Sequence, residues 1–266
     1  MLKDAPIGVF DSGVGGLTVI REIIRQLPSE NVVYFGDTAR LPYGSKSKDT
    51  IISYSKQIIH FLRTKHVKAI VIACNTASAC ALDAIAPSLD IPIIGVVRPG
   101  AVMAAKATVN GKIGILGTES TIGSDIYTTV LHDLNPGITV VGKACPLFVP
   151  LVEEGLLNDP VTDEMAARYL KAMKDADVDT LILGCTHYPL LRSTIRRLMG
   201  EGVNLINPAY ETAVSLREML LAENIYRVEG KPAYQFYVSD GTEKFSAFAN
   251  SILPVKLKEA RLVTLE

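Results

Sequence analysis

Nowhere in the sequence do two cysteines form a Cys-x-x-Cys pair, no basic run upsets the charge balance, and no apolar stretch approaches membrane length. Each absence closes off a class of function. Lys and Arg number 27 against 28 Asp and Glu, a formal net charge of −1. Nucleic-acid binders usually carry a basic excess or patch, so no such partner is expected. The longest apolar stretches, such as 69–74 and 180–184, fall far short of the ~20 residues that cross a bilayer, so no membrane partner is expected either. The first apolar run, ending at Asp11, is too short for a signal-peptide core, and no small-residue cleavage pattern follows it. The simplest inference is a cytoplasmic protein. Its four cysteines, at 74, 80, 145 and 185, would then stay reduced, and their even number argues for no disulfide.

What is present is ample core material: 48% hydrophobic against 21% charged residues, over a length that suits roughly two domains. Short β-branched runs alternate with segments of helical period, the pattern of an α/β fold with mostly parallel sheets flanked by helices. Strands are expected at 7–10, 31–35, 69–73 and 91–97, then at 112–116, 138–141, 180–183 and 203–206, with one more at 234–239. Ile51, Tyr54, Ile58, Phe61 and Leu62 recur at helical spacing, as do Ile122, Ile126, Tyr127 and Leu134. Pro99 and Gly111 bracket a further helix, and Thr162 suits the cap of another.

The two series of strands resemble one another. Ile7-Gly8-Val9-Phe10-Asp11-Ser12 matches Ile113-Gly114-Ile115-Leu116-Gly117-Thr118 at an offset of 106, and the segments ending in Cys74 and Cys185 match at an offset of 111. Any strand followed by a turn looks somewhat alike, so the matches pose a question for the structure. A true repeat implies two pseudosymmetric lobes. Open α/β sheets bind ligands beyond the carboxyl ends of their strands, and the matched segments end there in polar groups that would converge on an interlobe cleft.

Cys74 and Cys185 share a context, each following a buried-looking strand and preceding a polar residue and a helix. A thiol at such a turn lies near unpaired backbone N–H groups that favour its thiolate. Taken singly, a free cysteine is more often a small buried hydrophobe; Cys80, in an alanine-rich helix, and Cys145, before Pro146, are left in that role. A structural zinc wants four ligands at spacings absent here, although Cys185 and His187 stand two apart. His187 reads either as an acid–base or orienting partner, or as a hydrogen-bonded structural histidine. The loop Asp11-Ser12-Gly13-Val14-Gly15-Gly16 offers backbone amides to a small anion, or is a tight turn; it is neither a dinucleotide fingerprint nor a Walker loop. Pro42-Tyr43-Gly44 is a second turn that could face a ligand. No lysine stands in the strand-end motifs to serve a pyridoxal cofactor, which leaves thiols as candidate bases.

Together these motifs resemble the glutamate racemase family: the 7–17 segment, Tyr34-Phe35-Gly36-Asp37-Thr38, Pro42-Tyr43-Gly44, Ala73-Cys74-Asn75-Thr76-Ala77-Ser78 and Leu183-Gly184-Cys185-Thr186-His187-Tyr188-Pro189, with Gly95-Val96-Val97, Pro99-Gly100-Ala101 and Cys145-Pro146-Leu147 leading to Glu153. The resemblance spans the chain to about residue 215 and thins beyond it. It implies two pseudosymmetric α/β lobes, 1–97 with 208–266 and 98–207, with the active site in the cleft between them. It implies racemisation of L- and D-glutamate with no cofactor and no metal, supplying D-glutamate for peptidoglycan, in an enzyme that is commonly a homodimer. Cys74 and Cys185 would be the two bases, supported by Asp11, His187 and Glu153. Ser12, Tyr43, Gly44, Asn75, Thr76 and Thr186 would bind substrate along with Asp11 and His187, and Thr118 and Thr121 are secondary candidates. Aspartate racemases typically have Glu where this chain has His187, and lack the Asp11-Ser12 pair, which favours glutamate. Family members activated by a cell-wall precursor carry an N-terminal extension, and six residues before the first strand suggest no such regulation. Two readings stay open beside this one: another cofactor-free epimerase, acting on aspartate or a related acid, and a non-catalytic two-lobed amino-acid-binding protein.

Two thiols suit the chemistry. Enantiomers have equal free energy, so a racemase must run both ways, and two like groups exchange roles on reversal. Both must come within hydrogen-bond reach of Cα from opposite faces. With no electron sink, preorganised donors must stabilise the charge on the carboxylate.

Overall fold

The computed structural model describes residues 2–265. Its strands are β1 (Ile7–Asp11), β2 (Val32–Gly36), β3 (Ala69–Ile72), β4 (Ile93–Gly95), β5 (Lys112–Gly117), β6 (Thr139–Ala144), β7 (Thr180–Gly184), β8 (Asn204–Ile206), β9 (Tyr234–Val238) and β10 (Arg261–Leu262). The helices are α1 (Leu17–Gln26), α2 (Lys48–Arg63), α3 (Asn75–Ile85), α4 (Val97–Ala107), α5 (Glu119–Gly123), α6 (Ile126–Leu134), α7 (Phe148–Glu153), α8 (Pro160–Asp175), α9 (Arg192–Met199), α10 (Pro208–Ala222) and α11 (Thr242–Ile252). The chain forms two compact units: one runs up to Val96 and resumes at Ala209, the other is Val97–Pro208.

The first unit holds a six-stranded sheet in the order β10-β9-β2-β1-β3-β4, the second a four-stranded sheet in the order β6-β5-β7-β8. Every pairing is parallel. Parallel sheets are covered on both faces, which is why β1, β2, β3 and β7 are mostly apolar and are buried throughout. In the first unit, alternate side chains of one strand feed two cores. Ile7, Val9, Tyr34 and Val71 pack with α1, α10 and α11, whereas Phe10, Phe35, Ile70 and Ile72 pack with α2 and α3. In the second, Ile113, Ile115 and Ile182 pack against α4 and α6.

The repeat suggested by the sequence is real in topology and in register. Each unit places its first strand between its second and third, with the fourth beside the third. Ile7 pairs with Ala69 and Phe10 with Ile72; at the offsets of 106 and 111, Ile113 pairs with Thr180 and Leu116 with Leu183. The order therefore reverses at β1 and again at β5. Such switch points open crevices at the carboxyl ends of strands.

Several local expectations need correction. Residues 122–134 are not one helix: Asp125 adopts φ 57°, and this left-handed residue separates α5 from α6. A short polar side chain tolerates that conformation better than most. The strand expected over 91–97 is only Ile93–Gly95, because Val97 already opens α4. Pro99 thus sits within the first turn of α4, where its missing N–H costs little. The cap of α8 is Asp159, whose carboxylate accepts from Val161 N at 2.9 Å, while Thr162 lies inside the helix and donates to the Leu156 carbonyl.

Candidate active site

In the first unit the site residues gather at the carboxyl ends of β1, β2 and β3. Asp11 closes β1 and is fully buried; its Oδ2 accepts from the amides of Gly13 and Gly16, each at 3.0 Å. Two amides that the sequence offered to an anion are thus committed to the protein's own carboxylate. The Tyr34 hydroxyl donates to the Gly13 carbonyl at 2.7 Å, closing the loop from its other side. Only glycine fits at 16, since a Cβ there would stand 2.4 Å from Asp11 Cβ and 2.7 Å from Tyr34 Oη.

Cys74 caps the N-terminus of α3, its Sγ accepting from Ala77 N at 3.4 Å. Ser12 Oγ lies 3.7 Å from that sulfur, placed to accept from a thiol or donate to a thiolate. Asn75 and Thr76 are buried in the first turn of α3. Ser78 anchors this turn, its Oγ donating to the Ile72 carbonyl at 2.9 Å and accepting from Val96 N at 3.2 Å. Tyr43 and Gly44 form a single 3-10 turn after β2, with Tyr43 buried in the same apolar cluster as Cys74. Burial and then nearby charge hold both tyrosines protonated above the usual phenol range: Asp11 and then Cys74 act on Tyr34, and Asp37 is the larger charge on Tyr43, with Cys74 a lesser one.

In the second unit the residues collect at the ends of β5 and β7. Thr118 caps α5, its Oγ1 accepting from Thr121 N at 3.2 Å and donating to Thr121 Oγ1 at 3.0 Å. Cys185 follows β7 but caps no α-helix. A 3-10 turn, Tyr188–Leu191, comes first and leads into α9. Its thiol instead faces an imidazole: Sγ stands 3.8 Å from His187 Nδ1, and His187 Nε2 stands 3.1 Å from Glu153 Oε1. If Nε2 carries the proton and donates to Glu153, Nδ1 presents a lone pair to Cys185. The ring of Phe148, at the start of α7, meets Tyr188 edge-on at 5.2 Å, so the helix that ends at Glu153 packs on the turn after His187. Thr186 is buried beside Cys185. Tyr127 and Tyr188 are also raised above the phenol range, by burial first and Cys185 next.

All four cysteines are free thiols. Cys74 and Cys185 are 5% and 6% exposed, whereas Cys145 is sealed at 0% and burial pushes its thiol up to about 12. Burial raises Cys80 as well. Among the described residues no group of three or more His, Cys, Asp or Glu is placed to hold a metal ion, and no helix is long and apolar enough to cross a membrane.

The sequence assigns no role to Tyr34 or Asp37, although both stand in a motif quoted above, and none to Ser239. Asp37 had a visible signal, an acid one residue beyond β2 just as Asp11 closes β1. Ser239 had none, because its Oγ donates to Asp37 Oδ1 across 202 residues of chain.

Known proteins resemble this chain over nearly its whole length. Residues 7–216 match the family model described as Asp/Glu/Hydantoin racemase. The glutamate racemase of Geobacter metallireducens is 48% identical over 98% of this chain and 97% of its own. Glutamate racemase isoform RacE1 of Bacillus anthracis superposes with a TM-score of 0.96 at 42% identity, covering 99% of this chain and 98% of that one. The Francisella tularensis glutamate racemase, solved in complex with D-glutamate, gives 0.93 at 37% identity with 99% of each chain covered. The chain therefore belongs to the Asp/Glu/Hydantoin racemase family and, within it, to the glutamate racemases.

Proposed function

We propose that this protein interconverts L- and D-glutamate without a cofactor, by passing the α-proton between the thiols of Cys74 and Cys185. The observation that carries the two-thiol scheme is their equivalence. Each cysteine follows the third strand of an identical topology, in identical register, and each has its own partner for the proton.

In one direction a thiolate takes the α-proton: the Cα–H bond breaks, an S–H bond forms, and charge spreads into the substrate carboxylate. The other thiol then gives its proton to the opposite face of Cα and is left as thiolate, ready for the reverse reaction. The two ends tune sulfur differently. At Cys74 the Ala77 amide and the N-terminus of α3 favour the thiolate. Asp11, next in the chain to the Ser12 that faces the Cys74 sulfur, supports this end as its acid–base partner. At Cys185 the His187–Glu153 pair accepts and returns the thiol proton. Ser12, Tyr43, Gly44, Asn75, Thr76 and Thr186 hold the substrate, with Thr118 and Thr121 as secondary contacts. The relatives' substrate and the His187 position both favour glutamate over aspartate. We further place the enzyme in the cytoplasm as a homodimer whose D-glutamate enters peptidoglycan, a reading supported by its free thiols and its family.

The test is proton exchange in D2O. The wild type is expected to place deuterium at Cα of glutamate with no added cofactor, and to prefer L-glutamate to L-aspartate. Cys74→Ala and Cys185→Ala are expected to remain folded while losing racemisation at least ~10³-fold, within the span of a general acid–base group. Wild-type-like turnover by either variant, or unlabelled product, would remove the two-base scheme.

A further inference from the structure

Asp37 lies one residue beyond β2 and is fully buried, and its carboxylate is saturated by three side chains from two stretches of chain. Arg40 Nε donates to both oxygens at 3.0 and 2.7 Å, the Tyr43 hydroxyl donates to Oδ2, and Ser239 Oγ donates to Oδ1 at 2.9 Å. The Arg40 guanidinium lies 4.0 Å from the centre of the Tyr54 ring, which packs 5.8 Å from Tyr43. The end of β9 reinforces the arrangement: Ser239 Oγ accepts from Ala39 N at 2.9 Å, and Asp240 N donates to Thr38 Oγ1 at 2.9 Å. A buried charge is costly unless fully paired, and every partner of this one belongs to the 38–43 loop or to the segment that holds it. The Tyr43 hydroxyl, spent on Asp37, is no donor to a ligand.

We propose that Asp37, with Ser239 of the C-terminal segment, is a positioning residue that clamps the Tyr43-Gly44 turn in its substrate-holding form. The inference rests on the reading of that turn as part of the glutamate site. A clamp acts on ground state and transition state alike, so its loss raises KM and spares kcat.

The experiment is steady-state racemisation of glutamate by the full-length protein, by D37N, S239A and Y43F, and by the D37N/Y43F pair, with thermal unfolding of each. D37N and Y43F are each expected to raise KM about tenfold with kcat within about threefold of wild type, and S239A to raise it less. The double variant is expected to be no worse than D37N, since both changes break the same link. Unchanged KM in all three single variants, a loss confined to kcat, or additive effects in the pair would overturn the clamp. Should D37N fail to fold, Y43F and S239A, which each delete one hydroxyl, decide the matter by the same criteria. Absence of α-deuterium in wild-type product would instead defeat the glutamate reading, and the clamp with it; a racemising wild type matched by all variants defeats the clamp alone.

Discussion

Cysteine chemistry in this chain is decided by neighbours. The same thiol is inert at 145, where burial pushes it up to about 12 and it donates to the Lys143 carbonyl, and poised at 74, where a helix amide meets it. Iodoacetamide at pH 8 is accordingly expected to label Cys74 and Cys185 well before Cys145 and Cys80, read out by peptide mass spectrometry. Faster modification of Cys145 would contradict the burial that seals it. His187 shows the same dependence on context. Its bond to Glu153 orients one ring nitrogen toward Cys185, which nothing in a Cys-Thr-His triplet discloses.

Loops here are held by side chains that close them. Asp11 gathers its own loop through two amides, and Asp179, just ahead of β7, does the same for the connection between α4 and β5. Its Oδ2 accepts from the amides of Val109 and Asn110 and its Oδ1 from Thr108 Oγ1, each at 2.7 Å. Burial alone would raise this carboxyl, but those hydrogen bonds together hold it below the usual carboxylate range. A depressed carboxyl contributes stability above its unfolded value, and that contribution fades as pH falls through the folded one. Wild type is therefore expected to be more stable than Asp179→Asn at pH 7, with the gap narrowing below about pH 4. Urea midpoints taken across that range check it; a gap that stays constant in acid would show that charge plays no part.

Across the first unit, one buried ion pair ties distant stretches together. Lys68, ahead of β3, contacts Glu30 at 2.5 Å and donates to the carbonyls of Lys3 and Ile225, while Glu30 accepts from Arg227 N at 2.8 Å. Removing one partner of such a pair strands a buried charge, so Lys68→Ala is expected to cost about 3–5 kcal/mol in chemical denaturation. A loss below about 1 kcal/mol would mean that water replaces the lysine.

The sequence by itself determined the α/β class, the parallel sheets and the repeated strand–turn units, because apolar runs, glycine turns and helical period are local consequences of backbone sterics and burial. Motif order marked the two thiols for the same reason: strand ends are legible where a β-branched run stops at a polar residue. Only the tertiary structure decided where β9 and β10 lie, that Asp159 rather than Thr162 caps α8, that Cys74 caps a helix while Cys185 faces an imidazole, and that Ser239 reaches Asp37. Those outcomes depend on hydrogen bonds between residues far apart in the chain, whose energies are set by mutual placement and leave no periodic trace in either partner's own neighbourhood.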